Sequence, residues 1–117
     1  MLTDLREELH RLHAQLCSAL ADPSRILILY TLTMGHSNVS ELAQEVGLSQ
    51  PSVSRHLKVL RESGLVFAER EGHSMIYQLA DGRVIEALDL LRGMLADNLE
   101  KQAALARTAN EGMKVNQ

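Results

Sequence analysis

Residues 38–60 read NVSELAQEVGLSQPSVSRHLKVL, and this stretch predicts two short helices joined by a tight turn. The first helix begins with a capping box, since Asn38 is followed three residues later by Glu41. Its apolar residues recur at helical spacing and are expected to be buried: Val39, Leu42, Ala43 and Val46. Gly47 ends this helix, because glycine readily takes the left-handed conformation that follows a helix.

The second helix has two unlike faces. Ser49 caps it, and its first turn tolerates Pro51 because the amide that proline lacks would have no partner there. One narrow arc is apolar and holds Val53, Leu57 and Leu60. The opposite side is polar and holds Ser54, Arg55 and Lys58. One face therefore packs while the other stays free, which predicts a helix-turn-helix over residues 38–63.

The free face of the second helix suits the major groove of double-stranded DNA. Short hydroxyls and amides at a helix start reach bases or phosphates there, and arginine reaches guanine or phosphate. The predicted DNA-contacting residues of this helix are Gln50, Ser52, Ser54, Arg55, His56 and Lys58. For His56, a packed histidine that hydrogen-bonds locally is an equally good interpretation.

The residues after the helix-turn-helix predict a β-hairpin. Two segments rich in branched and aromatic side chains, at residues 65–70 and 75–79, flank a turn around Gly72. A helix-turn-helix followed by a hairpin at residues 65–80 is a winged helix, so the predicted fold class is mainly α with a small β-hairpin. Arg70 of the wing is a predicted weak DNA contact, although the glutamates on either side of it would repel DNA.

The composition fits one globular domain. The chain has 117 residues, of which 45% are hydrophobic and 23% are charged. No apolar run approaches the roughly 20 residues that cross a bilayer, and the N-terminus is an acidic amphipathic stretch instead of a signal peptide. We therefore expect a cytoplasmic protein with no membrane partner. A glycine-rich phosphate loop and a nucleophile arrangement are both missing from the sequence, so an enzyme is not predicted.

The charge is distributed unevenly. The formal net charge is −3, which does not suit indiscriminate coating of nucleic acid. Residues 49–63, however, carry three cations, Arg55, Lys58 and Arg61, against one anion, Glu62. The basic charge therefore lies on the predicted reading helix, where phosphate contacts would make binding salt-dependent.

Two leucine-striped helices bracket this core. The first, within residues 1–21, carries Leu2, Leu5, Leu9, Leu12 and Leu16. The second, within residues 82–107, carries Val84, Leu88, Leu91, Leu95 and Leu99. A small winged-helix core has no room for both stripes, so we predict an isologous homodimer formed by the N- and C-terminal helices. Residues 1–109 are then a single domain, and residues 110–117 are expected to be a flexible tail.

Two stretches resemble the signatures of the ArsR-type winged-helix repressors. Residues 19–27 read ALADPSRIL, in which Asp22 is the predicted cap of a helix that starts with Pro23. Residues 48–66 read LSQPSVSRHLKVLRESGLV. The resemblance implies a dimeric repressor that binds an inverted-repeat operator and is released by a metal, redox or small-molecule signal.

The usual metal sites of that family are not carried over. Its arsenic-sensing Cys-Val-Cys would lie at residues 37–40, where this chain has neither cysteine. Its zinc site at the last helix is matched by Asp81, but Arg83, Met94 and Asp97 occupy the other positions. Zinc needs imidazole or thiolate ligands that these residues do not supply.

A different metal site is conceivable on the first helix. Steps of three and four residues place His10, His13 and Cys17 on one helical face. Two imidazoles and a thiolate suit zinc or copper(I), with a further ligand from water, Glu7 or the other subunit. The competing interpretation is that these histidines are solvated side chains of an amphipathic helix.

Cys17 is the single cysteine, so an intrachain disulfide is impossible. A bridge between two subunits or sulfenic-acid chemistry would make it a redox site. The competing interpretation is a small buried hydrophobe beside the core.

Two functions fit these observations. One is a sequence-specific DNA-binding transcriptional regulator, and the alternative is a winged-helix scaffold for protein contacts without DNA binding. The polar, basic outward face of residues 50–58 favours the regulator, because a protein-contact helix would carry aromatic or larger apolar residues there.

Overall fold

The computed structural model describes residues 1–115 and divides the chain into two compact units. The first unit, residues 1–82, contains α1 (Leu2–Leu12), α2 (Pro23–Leu32), α3 (Val39–Val46), α4 (Gln50–Glu62), β1 (Val66–Glu71) and β2 (Ser74–Leu79). The second unit begins at Arg83 and consists of α5 (Arg83–Val115). The predicted fold class, a helix-turn-helix with a small β-hairpin, is confirmed.

The core of the first unit lies where α2, α3 and α4 meet. Its fully buried side chains are Ile28 and Leu29 from α2, Leu42 from α3, and Val53, Leu57 and Leu60 from α4. Burying each side chain of this size contributes roughly 1.5–3 kcal/mol. All three residues of the predicted apolar arc of α4 are in this set, so that face of the helix packs as expected.

The predicted ends of α3 are confirmed. Asn38 Oδ1 accepts a hydrogen bond from the Glu41 backbone N–H at 2.8 Å, and Glu41 Oε1 accepts one from the Asn38 N–H at 3.3 Å. Gly47 has φ +72°, and its N–H donates to the Ala43 carbonyl at 3.0 Å. The capping box and the left-handed glycine therefore set the length of α3.

The C-terminal end of α4 is closed by a Schellman motif. Gly64 has φ +80°, its N–H donates to the Arg61 carbonyl at 3.0 Å, and the Leu65 N–H donates to the Leu60 carbonyl at 2.9 Å. The buried Ser63 adds a hydrogen bond from its hydroxyl to the Leu60 carbonyl at 3.0 Å. These bonds turn the chain from α4 directly into the wing.

Each strand of the hairpin reaches one residue closer to the turn than the apolar pattern predicted. Its register pairs Ala68 with Tyr77 and Glu71 with Ser74, which leaves a two-residue loop in which Gly72 has φ +63°. Ser37 extends this sheet, because it exchanges two backbone hydrogen bonds with Tyr77, at 2.9 and 3.2 Å. No sequence pattern predicted this bridge, since a single pair has no alternation to detect.

The N-terminal helix is interrupted where the sequence predicted continuous helix. After α1, residues His13–Cys17 form a π-helical turn, with a hydrogen bond from the Ser18 N–H to the His13 carbonyl at 2.9 Å. Residues Ala19–Ala21 form a 3₁₀ turn. The leucine stripe of α1 is solvent-exposed, at 43–76%, for Leu2, Leu5, Leu9 and Leu12.

The C-terminal helix continues further than predicted. Helix α5 ends at Val115, so residues 110–115 are helical where a tail without pattern was expected. Residues 116 and 117 lie outside the described part of the chain. The alanines just before this stretch, at positions 103, 104, 106 and 109, favour continued helix. Within α5, Leu91, Leu95 and Leu99 are 57–60% exposed.

Among residues 1–115, none of the helices combines the length and the apolar character needed to span a bilayer.

Helix α2 begins at a capped and charged junction. Asp22 Oδ1 accepts a hydrogen bond from the Ser24 N–H at 2.8 Å, and Asp22 Oδ2 lies 3.6 Å from Arg25 Nη1. The Ser24 N–H lowers the pKa of the Asp22 carboxyl below its ordinary value, with smaller contributions in the same direction from the charges of His56 and Arg25. The cap predicted at Asp22 is confirmed.

Replacing Asp22 with alanine should lower the melting temperature by about 4 °C, because the Ser24 N–H loses its acceptor. Asp22→Asn is the matched control, since asparagine caps about as well as aspartate and should keep most of the stability. The depressed pKa means that the carboxylate stabilises the fold above about pH 4 and that this contribution is lost as the pH falls through the lowered pKa. Thermal melts of the three proteins against pH check both statements; an alanine variant as stable as the wild type at neutral pH would contradict them.

Candidate nucleic-acid interface

Helix α4 exposes the face that was predicted to read DNA. Ser54, Arg55 and Lys58 are exposed, while Val53 and Leu57 on the other side are fully buried. Within the described part of the chain, no ion pair engages the guanidinium of Arg55 or the ammonium of Lys58. These cations are therefore free to meet phosphates or guanine edges.

The N-terminal end of α4 is polar and connected to α3. Ser49 Oγ accepts a hydrogen bond from the Ser52 N–H at 3.3 Å, as expected of the cap. Gln50 Nε2 donates to Ser40 Oγ of α3 at 3.5 Å, and both residues are exposed. Ser40 was not among the predicted contacts, and no local pattern distinguishes it from other helix-surface serines. Its place beside Gln50 puts it where the first helix of such a motif crosses the DNA backbone.

His56 and Ser52 are half-buried, unlike the exposed members of the predicted set. The positive charge of His56 is among the causes that lower the pKa of Asp22, which places the imidazole toward the start of α2. Both interpretations of His56, the packed histidine and the phosphate contact, stay predictions.

Arg61 extends the basic face of α4. It is exposed and lies one turn after Lys58, and the two residues border an open cleft of about 340 Å³ together with Glu62. The sequence indicated Arg61 only through the local charge. Its exposure adds it to the candidate phosphate contacts.

Arg70 projects from the wing on the opposite face to its glutamate neighbours. In β1 it pairs with Met75, whereas Glu69 pairs with Ile76 and Glu71 with Ser74. Side chains alternate between the two faces of a strand, so the two glutamates share the face away from Arg70. The expected repulsion is therefore weaker than the order of residues suggested.

The metal site predicted on the first helix is not complete within a single chain. Among residues 1–115 no group of three or more His, Cys, Asp or Glu side chains is placed to hold a metal ion, and His10, His13 and Cys17 are all exposed. The π-helical turn at residues 13–17 replaces the α-helical rotation that the spacing assumed. A site completed by the other subunit stays a prediction.

Cys17 is a free, exposed cysteine. The interpretation as a buried hydrophobe is therefore wrong, since the π-helical turn leaves Leu16 half-buried and carries Cys17 outward. Redox chemistry at this thiol stays a prediction.

Comparison with known sequences identifies relatives over most of the chain. Residues 22–67 match the family described as bacterial regulatory protein, arsR family. The chain is 36% identical over 99 residues to a probable mercury resistance operon repressor of Streptomyces lividans, covering 85% of this chain and 79% of that protein. It is 37% identical over 107 residues to the HTH-type transcriptional regulator Rv0081 of Mycobacterium tuberculosis, covering 91% and 94%.

Solved structures agree with the sequence relatives. The crystal structure of Rv0081 superposes with a TM-score of 0.72 at 38% identity, over 81% of this chain and 96% of that chain. The solution structure of the homodimeric winged helix-turn-helix domain of Mb0332 from Mycobacterium bovis also gives a TM-score of 0.72, at 31% identity over 83% and 90%. Together with the exposed polar face of α4, these matches show that the chain is a winged helix-turn-helix, DNA-binding transcriptional regulator belonging to the ArsR family.

Proposed function

We propose that this protein is a cytoplasmic, homodimeric repressor that places α4 of each subunit into successive major grooves of an inverted-repeat operator. The observation that carries the proposal is the division of α4 into a fully buried apolar face and an exposed face with Ser54, Arg55 and Lys58. The relative from Streptomyces lividans, named a probable repressor, supports the direction of control. Bound at an operator, the dimer would repress by occluding the promoter.

The exposed leucines support the dimer. In α1, Leu2, Leu5 and Leu9 line an open groove of about 540 Å³. In α5, Leu91, Leu95 and Leu99 form a second exposed stripe. Contiguous apolar surface of this kind marks an interaction site, and a second copy presenting the same stripes satisfies an isologous interface. The relative Mb0332 is described as homodimeric, which supports the same assembly.

The dimer determines which DNA can be bound. Two recognition helices related by a two-fold axis read half-sites about 34–36 Å apart, or a multiple of that distance. Gln50, Ser52 and Ser54 lie at the helix start, where base edges are reached, and Arg55, Lys58 and Arg61 supply cations along the helix. His56 and, from the wing, Arg70 are the remaining candidate phosphate contacts. Affinity should therefore fall steeply with salt.

Release from DNA needs a signal that acts unequally on the DNA-binding and the non-binding state of the dimer. A ligand with equal affinity for both states would leave their populations unchanged. The exposure of Cys17 supports an oxidant as that signal, because a reactive thiol must be accessible. This proposal does not involve catalysis of a reaction on a substrate.

Replacing Arg55 with alanine should weaken binding to the operator by about tenfold or more, because each of the two subunits loses a base or phosphate contact. The operator is first selected by the wild-type protein from random double-stranded DNA, and affinities are then measured by fluorescence anisotropy. Arg107→Ala in α5 is the matched control and should leave the affinity unchanged, since Arg107 is exposed and outside the reading helix. An Arg55→Ala variant that binds as the wild type does would favour the scaffold alternative.

Introducing charge into the leucine stripe of α1 should abolish the dimer. Leu5→Glu together with Leu9→Glu places anions in the proposed interface while leaving the subunit core intact, because both leucines are exposed in the single chain. Sedimentation equilibrium should then show a monomer, and operator binding should be lost with it. Met34→Glu makes the same chemical change at an exposed loop residue and should stay dimeric. A dimeric Leu5→Glu/Leu9→Glu variant would place the interface elsewhere.

A further inference from the structure

A hydrogen bond from the N-terminal segment reaches the far end of the recognition helix. Gln15 Nε2 donates to the Ser63 carbonyl at 3.2 Å, across a sequence separation of 48 residues. Ser63 is buried and follows the last residue of α4. We propose that Gln15 is a positioning residue for DNA recognition, which holds the C-terminal end of α4 in place relative to α1. This inference rests on the proposed dimeric, operator-binding function.

The segment that carries Gln15 is braced at its other end. Arg25 of α2 donates from Nε to the Ala19 carbonyl at 2.6 Å and from Nη2 to the Ser18 carbonyl at 3.2 Å. Within the segment, Ser18 Oγ donates to the Ala14 carbonyl at 2.6 Å. The segment that carries Gln15 is therefore hydrogen-bonded to the core helix α2. The Gln15 amide in turn bonds the end of α4, so the position of this segment can constrain the position of α4.

Packing alone does not fill the space between this segment and α4. A cleft of about 220 Å³ lies there, bordered by Ala14 and Ser18 on one side and by Val59 and Glu62 on the other. Side chains separated by a cleft lose van der Waals contact with each other, so packing across this cleft constrains the position of α4 only weakly. The hydrogen bond from Gln15 spans this cleft and connects the segment to the end of α4.

The position of the end of α4 matters for the proposed dimer. Helix α4 has 13 residues and is therefore about 20 Å long, so a small change of angle at one end becomes a larger displacement at the other. A tilt at Ser63 displaces the reading residues at the other end. In a dimer built on α1, the link from Gln15 to Ser63 thus helps to set the distance between the two recognition helices and so the half-site spacing that the protein prefers.

The test compares full-length variants on operators of different spacing. The operator selected by the wild-type protein is used together with versions in which the half-sites are one base pair closer or further apart, and with scrambled DNA of equal length. Gln15→Ala should lower affinity for the operator about tenfold, because the dimer loses two hydrogen bonds of ordinary strength. The variant should also bind the three half-site spacings with more similar affinities than the wild type does. Its affinity for scrambled DNA and its dimer mass should be unchanged.

Matched variants distinguish a loss of α4 positioning from a general change in DNA binding. Thr108→Ala removes an exposed polar side chain from the side of α5 opposite the leucine stripe and should bind as the wild type does. Gln15→Glu keeps the shape but offers no donor to the Ser63 carbonyl, so it should lose at least as much specificity as Gln15→Ala. Gln15→Lys restores a donor, so the ratio of operator affinity to scrambled-DNA affinity should recover. Thr108→Lys adds the same charge on the exposed surface of α5 and corrects for its general effect on DNA binding.

The outcomes are distinct. A wild-type protein that selects no sequence would overturn the proposed function and this inference with it. A wild-type protein that selects an operator, combined with a Gln15→Ala variant that keeps its affinity and its spacing preference within about twofold, would overturn only the role of Gln15. Loss of the dimer in Gln15→Ala would also overturn it, since the residue would then act in assembly instead of in positioning.

Discussion

Burial of one face of α4 is the constraint on which the rest of this structure depends. Val53, Leu57 and Leu60 are fully buried in the core formed with α2 and α3, at roughly 1.5–3 kcal/mol each. The rotation of the helix about its own axis is fixed by this burial, and the opposite face is consequently exposed. The packing that buries Val53, Leu57 and Leu60 therefore also leaves Ser54, Arg55 and Lys58 in contact with solvent.

Backbone hydrogen bonds then determine where α4 and its neighbours end. The left-handed glycines at positions 47 and 64 stop α3 and α4, and the Schellman motif directs the chain into β1. The pairing of Ser37 with Tyr77 joins the start of the helix-turn-helix to the wing. These hydrogen bonds satisfy backbone groups that would be costly to bury unpaired, and they connect the reading helix to the wing.

The core of the first unit is small, and much apolar surface stays exposed on α1 and α5. A domain of this size buries a limited fraction of its surface, so association with a second copy adds stability that the single chain does not provide. In the proposed dimer, the same association brings two recognition helices together. Stability and operator recognition would then depend on the same exposed leucines, and Gln15 hydrogen-bonds the end of the reading helix from the segment that follows α1.

The sequence alone determined the helix-turn-helix, the caps at Asp22, Asn38 and Ser49, the buried and free faces of α4, and the family. These features are local, because they follow from periodicity and from residues three or four positions apart. Only the tertiary structure revealed the Ser37–Tyr77 pairing, the hydrogen bond from Gln15 to Ser63 and the position of His56 near Asp22, since each joins residues far apart in the chain. It also showed a π-helical turn at residues 13–17, where the predicted grouping of His10, His13 and Cys17 assumed an α-helix, and among the described residues of one chain these side chains do not form a metal cluster.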